Sequence, residues 1–443
     1  MDIRDLLITP VLIIVVYAIA FIIRPRVTDA TTRVYFLPAI TVKIIGALAV
    51  GIIYQFYYGG GDTFNYHTWG SRFVWEALMK SPLTGVELLF SEGEYTPRIF
   101  KYASRIAFFG DDSSYFIVRL AAIFDVFTFS TYSATAILFA LTSFVGMWML
   151  FIMFYEKYPH LHRWLAISCL FIPSVFFWGS GLLKDTVIMG CLGIATYEFN
   201  RLLLQRRFSV MHLLLLLISL YFIFAVKKFI LQAFLPGVLL WVYMNYTMRL
   251  KSVVVKLMLF PLIMLFAAGS AYFSVVKIGE GDARYSVDKI AQTARMTAMD
   301  IRYWTGKDAG SGYTLGEMDG TFGGMVKLAP QAINVALFRP YLWEVKNPLM
   351  LLSAVESLML LIFTIIIIFK SRLGIFAAIT EPDVMFCLTF SIIYAFAVGA
   401  STFNFGTLAR YKIPLLPFFA IALVLLYFSK SDKNVEVLEE TEY

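Results

Sequence analysis

A carboxylate follows a run of glycines in the segment Gly59-Gly60-Gly61-Asp62, and Tyr66 and His67 come shortly after it. Glycine allows the backbone to approach a ligand closely. A carboxylate in such a loop can act as a general base on an acceptor hydroxyl, or it can bind a divalent cation such as Mg²⁺ or Mn²⁺. Because glycine ends helices and Asp begins them, the same pattern also fits a pair of helix caps. We predict Asp62 as the catalytic residue, with Tyr66 and His67 as substrate contacts.

Charged side chains stand at the ends of several apolar segments, where they could bind a phosphate group. Lys184 comes at the start of a helix, and helix N-termini attract anions. Lys227 and Lys228 lie at a turn where the charge pattern of the chain disfavours them, and such charges are often functional. Contact with lipid headgroups would explain the same lysines without a ligand. The predicted substrate-binding set is Lys184, Asp185, Lys227, Lys228, Arg339, Arg410 and Lys412.

Aromatic side chains lie near these charges in the sequence. Trp178 and Tyr411, like the tyrosine of the glycine loop, are predicted to stack on a sugar ring, and anchoring at the membrane interface is the alternative. Arg339 and Glu344 could form a structural ion pair in place of a ligand contact. Glu356 lies inside an apolar segment, where a carboxylate is expected to face the interior and to be paired.

The elements that carry these residues are predicted to be membrane-spanning helices. Hydrophobic residues make up 60% of the chain and charged residues 15%, with a mean hydropathy of +0.75. Soluble domains have about 45–50% apolar and about 25% charged residues. The apolar runs reach about 18 residues or more, enough to cross the bilayer, and they must be helical because lipid offers the backbone no hydrogen-bond partner. The sequence therefore predicts an all-α, polytopic bundle of about eleven spans. Their approximate cores are 6–23, 37–58, 131–155, 164–178, 185–203, 211–226, 229–247, 254–276, 348–369, 383–400 and 412–428.

Basic residues mark every second short loop, as the positive-inside rule expects of cytoplasmic loops. They are Arg24, Arg26, Lys157, Arg163, Arg201, Arg206, Arg207, Arg249, Lys251, Lys370, Arg372, Lys430 and Lys433. The net charge of +7 is thus explained by topology and lipid headgroups, and nucleic acid is not an expected partner. The candidate site residues then face outward, and the C-terminus is cytoplasmic.

Two long loops lie on the predicted outer side of a single membrane domain, 1–443. The loop 59–130 contains amphipathic stretches over 69–79 and 115–129 that we expect to lie in the interface plane. The loop 277–347 is rich in glycine and is expected to form a lid. Residues 430–443 form the predicted cytoplasmic tail.

This layout resembles the GT-C superfamily of polyprenyl-phosphate-sugar-dependent glycosyltransferases. The likeness rests on Asp62 in the first external loop, on the aromatic hairpin 171–185 with its charged end, and on the segment 404–414. The last two segments are also similar to O-antigen polymerase-type envelope proteins. The chain departs from the family pattern because no acidic pair stands near Asp62; Asp111 and Asp112 come much later. An additional span also precedes the first external loop.

The resemblance implies an inverting transfer of a sugar from an isoprenoid-phosphate or pyrophosphate donor to a glycan, lipid or protein acceptor. Asp62 would be the base or metal ligand, and Lys184, Lys227, Lys228 and Arg410 would hold the phosphate. A bacterial inner membrane, with the site facing the periplasm, is the implied location.

Three other functions remain open. An O-antigen-type polymerase or ligase would use the arginines of the loop 277–347, namely Arg284, Arg295, Arg302 and Arg339, without a metal. A transporter or flippase for lipid-linked sugars would need ionisable groups near the membrane midplane, for which Glu356 is a candidate, and discontinuous helices. A scaffold subunit of an envelope assembly would need none of the charges.

Overall fold

The computed structural model describes residues 2–248, 311–315, 327–371 and 378–441, with four single residues between them, Met296, Met299, Tyr303 and Gly324. The chain divides into two compact units. Unit 1 comprises Met1–Glu198 and Ser209–Lys227, and unit 2 comprises Phe199–Phe208 and Lys228–Tyr443. Each unit is described by itself.

The described residues of unit 1 form helices that are joined by turns and loops. Two of its short segments are π-helical turns, at His67–Ser71 and Ile167–Phe171. Its helices are α1 (Ile3–Val27), α2 (Arg33–Phe56), α3 (Asp62–Tyr66), α4 (Arg72–Lys80), α5 (Pro82–Phe90), α6 (Phe100–Ala103), α7 (Asp112–Thr128), α8 (Tyr132–Lys157), α9 (His162–Ala166), α10 (Pro173–Trp178) and α11 (Lys184–Phe199).

Helix α12 (Val210–Met248) runs from unit 1 into unit 2 and leaves helical geometry at Lys227, where φ is −147° and ψ is 82°. The other helices described in unit 2 are α13 (Ala329–Phe338), α14 (Pro348–Ser371), α15 (Pro382–Thr402), α16 (Phe405–Tyr411) and α17 (Leu416–Thr441). An isolated antiparallel bridge joins Gly312 to Asn404.

Seven of the described helices are long and apolar enough to cross a membrane, or eight if the bent pair α16 and α17 counts as one span. The seven are α1, α2, α8, α11, α12, α14 and α15, and each coincides with predicted cores. Membrane-spanning character is therefore confirmed, whereas the predicted total of about eleven is not. The predicted span 254–276 lies outside the described residues.

The predicted span 164–178 is not one continuous helix. It consists of α9, a π-helical turn and α10, with an extended residue at Ile172 (φ −65°, ψ 123°). Pro173 causes the break, because it lacks an N–H donor and restricts the residue before it. The predicted span 412–428 likewise begins in a break: α16 and α17 meet at 70°, and Pro414 lies between them. The predicted turn at Lys227–Lys228 is an interruption within α12.

Helices α8 and α11 of unit 1 approach each other closely through glycines. A Cβ atom added at Gly146 would overlap the backbone of Gly190, and one added at Gly193 would overlap the backbone of Gly146. Small residues at helix contacts are typical of membrane proteins, because close packing replaces the hydrophobic drive that water supplies elsewhere. This contact holds in place the helix whose first residue is Lys184.

The predicted interfacial stretches of the first long loop form helices α4 and α7. Of the loop 277–347, the structure describes residues 311–315, 327–347 and the four single residues. Residues 311–315 pack on the turn before α16: Tyr313 donates its N–H to the Phe403 carbonyl (3.1 Å), and Phe405 donates to the Ser311 carbonyl (2.8 Å).

Candidate functional site

The glycine loop of unit 1 has a backbone that other residues rarely adopt. Gly59, Gly60 and Gly61 have φ values of 69°, 136° and 127°. A Cβ atom on Gly61 would also lie 2.9 Å from the Tyr54 ring. Asp62 is the half-buried first residue of α3, and the Gly61 carbonyl accepts the first hydrogen bonds of that helix. The geometry explains the three successive glycines and places the predicted catalytic carboxylate at the start of a short helix.

A cavity of about 350 Å³ lies beside this loop. Gly59 and Gly60 form part of its wall, and the start of α1 and the π-helical turn after α3 form other parts. Its side-chain lining includes Asp2, Asp5, Gln55, Trp69, Arg72 and Tyr132. The N-terminal end of α1 and the C-terminal end of α2 thus meet at one cavity, as expected if both face the same side of the membrane.

A fully buried polar cluster lies next to the cavity. Asp125 accepts hydrogen bonds from Ser71 (2.6 Å) and Thr135 (2.6 Å), and His67 Nε2 lies 3.5 Å from the same carboxylate. His67 and Asp125 both have side chains that are 0% exposed. His67 packs edge-on against the Tyr132 ring, which lines the cavity. The structure therefore places the predicted substrate contact His67 behind the cavity wall.

Lys184 is paired with the first long loop. Its ammonium group donates to Ser113 (2.7 Å) and lies 3.6 Å from the Asp111 carboxylate. Burial raises the pKa of Asp111, but the hydrogen bond from Ser114 and the charge of Lys184 outweigh burial and hold that pKa below its usual value. The Asp111 side chain is 47% exposed and the Lys184 side chain is 16% exposed. Another anion can therefore take the place of Asp111 at the Lys184 ammonium group, because the displaced carboxylate can be hydrated.

Lys227 and Asp185 form a second, more deeply buried ion pair. The Lys227 ammonium group donates to the Asp185 carboxylate, with side-chain exposures of 8% and 0%. Asp185 is in the first turn of α11, where the helix dipole favours a carboxylate. The pair joins the interruption of α12 to the start of α11, and the sequence predicts that both face outward.

The predicted sugar-stacking residues of unit 1 are buried among other rings. Tyr66 is 2% exposed and packs on Phe108, and Trp178 is 8% exposed and packs edge-on against Tyr54. The most exposed aromatic side chain of the cavity wall is Trp69, at 56% exposure. Sequence reasoning missed Trp69 because its exposure follows from the π-helical turn, in which its own dihedral angles (φ −103°, ψ 18°) leave the helical region.

Lys43 was also missed, since it is a single charge within an apolar run. It lies inside α2 with its side chain among the largest fully buried ones. Its ammonium group donates to Ser143 Oγ (2.8 Å) and to the Gly179 carbonyl (2.8 Å). Because Gly179 caps the C-terminal end of α10, Lys43 supplies a partner for a carbonyl group that the helix leaves unbonded. Lys43 therefore anchors the turn that leads to Lys184.

In unit 2, Arg339 forms the ion pair with Glu344 that the sequence suggested as an alternative. The guanidinium group donates from Nε to both carboxylate oxygens (3.1 and 3.0 Å) and also from a terminal nitrogen. Burial raises the pKa of Glu344, but the hydrogen bonds from Arg339 and from the Tyr341 N–H lower it below its ordinary value. The guanidinium carbon also lies 5.2 Å from the centre of the Phe405 ring.

The remaining predicted residues of unit 2 are mostly buried. Lys412 is 1% exposed, donates to Ser357 Oγ (2.9 Å), and interacts electrostatically with Glu356. Arg410 is buried over the Tyr411 ring at 5.8 Å. Lys228 is half-buried. The intramembrane carboxylate Glu356 therefore faces a buried cation, as the sequence led us to expect.

In unit 1, the acidic and basic side chains of the candidate site lie at different places. Carboxylates predominate around the cavity, and the cations Lys184 and Lys227 lie against Asp111 and Asp185. Nowhere in the described parts of the chain do three or more His, Cys, Asp or Glu side chains form a group that could hold a metal ion. A search of protein-family models, curated proteins and solved structures finds no match to this chain.

Proposed function

We propose that the protein is a membrane glycosyltransferase that moves a sugar from an isoprenoid-phosphate or pyrophosphate donor to a glycan, lipid or protein acceptor. The observation that carries the proposal is the meeting of three predicted external segments in unit 1. Lys184 contacts Asp111 of the first long loop, and Asp185 beside it contacts Lys227. A phosphate-linked donor needs such cations near a carboxylate that can accept a proton.

The two lysines have different roles in this proposal. Lys184 binds the donor phosphate, because the half-exposed Asp111 can yield its place to a more highly charged anion. Lys227 is held by a fully buried carboxylate, so its charge positions the turn before α11. Lys228, Arg339, Arg410 and Lys412 belong to unit 2, and their part in binding stays a prediction.

Asp62 acts as the general base. The acceptor hydroxyl oxygen attacks the anomeric carbon of the donor sugar, and its proton passes to the Asp62 carboxylate. The bond from the anomeric carbon to the phosphate oxygen breaks, and Lys184 stabilises the charge that develops on the phosphate. Attack opposite to the leaving group inverts the anomeric centre.

The proposed location is a bacterial inner membrane, with the site on the periplasmic side and the C-terminus in the cytoplasm. Two features support this orientation. Basic residues lie in the last turns of α1 and α8, namely Arg24, Arg26 and Lys157. The opposite ends of these two helices carry Asp5 and Tyr132, which line the cavity. The start of α1 and the end of α2 also line one cavity.

The proposal is tested by mass spectrometry of lipid-linked saccharides in membranes that lack the protein, complemented with the native chain or with Asp62→Asn. We expect the deletion and Asp62→Asn to accumulate one sugar–lipid precursor and to lose its product. Glu92→Gln is the matched control, because Glu92 is an exposed carboxylate of the same long loop. Equal saccharide profiles for Asp62→Asn and the native chain, at equal protein levels, would show that Asp62 is not the general base.

A transporter or flippase for lipid-linked sugars is the second candidate. Interrupted helices favour it: α12 breaks at Lys227, and α16 and α17 meet at 70°. The buried cations Lys43 and Lys412 are further ionisable groups inside candidate spans or their breaks. Movement of a labelled lipid-linked sugar across vesicles without a change in its mass would favour this function.

The polymerase or ligase alternative rests on arginines of the loop 277–347. Arg284, Arg295 and Arg302 lie outside the described residues. Arg339 is engaged by Glu344 and by aromatic rings. Turnover that resists chelators but fails in the arginine variants would favour this alternative.

A further inference from the structure

The cavity beside the glycine loop is not needed to hold the donor phosphate, and its chemistry differs from that of the lysine sites. Its volume of about 350 Å³ falls within the range of small-molecule pockets. Asp2 and Asp5 contribute carboxylates to its wall, and Arg72 contributes a guanidinium group. With two acids and one base, the lining repels a phosphate group and favours an uncharged ligand.

The charged side chains of the cavity wall are held by hydrogen bonds and an ion pair. Asp5 accepts hydrogen bonds from the Ser133 N–H (2.8 Å) and hydroxyl (2.6 Å). Arg72 lies 3.4 Å from the Asp2 carboxylate at the more exposed rim. A carboxylate offers two acceptor oxygens and a guanidinium group offers several N–H donors, so each can bind two neighbouring hydroxyl groups. Such an arrangement suits a polyhydroxylated ring.

Three aromatic side chains also line the cavity, namely Phe64, Trp69 and Tyr132. Trp69 lines the cavity at 56% exposure, and Phe64 stacks on Tyr132 with ring centres 4.5 Å apart. The flat face of the exposed Trp69 indole matches the C–H face of a pyranose, which is apolar. A wall that combines one accessible indole with fixed carboxylates fits a sugar better than a purely apolar or a purely ionic ligand.

We propose that this cavity is the subsite for an uncharged acceptor saccharide. The inference rests on the proposed transferase function and names the part of the acceptor that the site recognises. Gly59 and Gly60 form part of the cavity wall, and Asp62 follows them in the same loop. A hydroxyl group of a bound pyranose is thereby presented to the loop that carries the base, while the donor phosphate is held at Lys184.

The test is saturation-transfer difference NMR with the full chain in lipid nanodiscs. The probes are the methyl pyranosides of glucose, galactose, mannose, rhamnose and N-acetylglucosamine, each measured separately. We expect ring-proton signals from at least one probe, and Trp69→Ala is expected to raise its Kd by about tenfold, the loss of about 1.4 kcal/mol. Trp69→Phe keeps an aromatic face and should retain most of the signal.

Trp164→Ala is the matched control, because Trp164 is 45% exposed in the same unit and does not line the cavity. Arg72→Lys is a second cavity variant, chosen because lysine cannot reproduce the paired hydrogen bonds of arginine. Unfolding midpoints measured beside each titration separate weak binding from loss of the fold. Native-like signals in both Trp69→Ala and Arg72→Lys, or no signal from any probe with the native chain, overturn the subsite.

The subsite and the transferase function can fail separately. If Asp62→Asn changes the lipid-linked saccharides but neither Trp69→Ala nor Arg72→Lys weakens pyranoside binding, the subsite is wrong and the function stands. If pyranosides bind through Trp69 but no precursor accumulates in the deletion membranes, the cavity is a saccharide site and its role as an acceptor subsite is wrong.

Discussion

Replacing Lys227 by methionine should destabilise the protein strongly, because it leaves the Asp185 carboxylate buried without its cation. The carboxylate is 0% exposed and the ammonium group 8% exposed, so water cannot replace the lost partner. Breaking a buried ion pair by removing one member typically costs about 3–5 kcal/mol. At 1.36 kcal/mol for each factor of ten, that is a shift of roughly a hundred-fold to several thousand-fold in the folding equilibrium.

The double variant Lys227→Met with Asp185→Leu should recover most of this loss. Removing both charges leaves two apolar side chains of similar size, an exchange that is often neutral or stabilising by about 1–4 kcal/mol. Asp185 also lies in the first turn of α11, so its removal gives up a favourable dipole interaction of about 0.3–1 kcal/mol. We therefore expect the free energy of unfolding of the double variant to be nearer to that of the native chain than the value of either single variant is.

The assay is reversible unfolding in mixed detergent micelles, followed by far-ultraviolet circular dichroism and analysed as a double-mutant cycle. Lys80→Met is the matched control, because Lys80 is an exposed lysine at the end of α4. The ion pair does not stabilise the fold if Lys227→Met lowers the free energy of unfolding no more than Lys80→Met does, or if the effects of Lys227→Met and Asp185→Leu are additive.

Three further predictions concern the glycine loop, the first long loop and unit 2. Gly60→Ala should lower transfer activity, because φ at this position is 136° and alanine would be strained there by about 1–3 kcal/mol. Gly59→Asn should be tolerated, because φ is 69° at that position. Product formation in complemented membranes measures both effects. The pKa of Asp111 is below its ordinary value of 3.8. The contribution of Asp111 to stability is therefore present above pH 3.8 and is lost as the pH falls through the lower folded-state pKa. The difference in unfolding midpoint between the native chain and Asp111→Asn should stay constant near neutral pH and shrink only in acid. Arg339→Lys should lower the unfolding midpoint although the charge is kept, because lysine cannot hold both oxygens of Glu344, and Glu344→Gln should lower it in the same way.

The sequence predicted most of the long helices, because an apolar run that must satisfy its own hydrogen bonds has few alternatives. It was less successful where one residue interrupts a run. Pro173 lies inside the predicted span 164–178, and hydropathy alone gave no weight to its missing N–H. The irregularity at Lys227 was anticipated from its charge, although it interrupts a helix and does not form a separate turn.

The candidate site was predicted in part. The glycine loop before Asp62 and the charges at 184–185 were recognisable, because glycine and charge are conspicuous in an apolar sequence. The partners of those charges were not, since Asp111 and Lys184 are brought together only by the packing of distant segments. Local pattern also cannot tell an exposed ring from a buried one, which is why Trp178 was chosen and Trp69 was overlooked.

Transfer by the purified protein tests the central proposal most directly. The assay supplies the lipid-linked saccharide that accumulates in the deletion membranes, together with an acceptor extract of the same membranes. Mass spectrometry follows the lipid phosphate that is released and the mass of the acceptor. We predict turnover by the native chain, and a loss of about 10²–10⁴-fold in Asp62→Asn, the usual contribution of a general base. Equal turnover by Asp62→Asn, or movement of the intact lipid-linked saccharide without cleavage, would contradict the proposal.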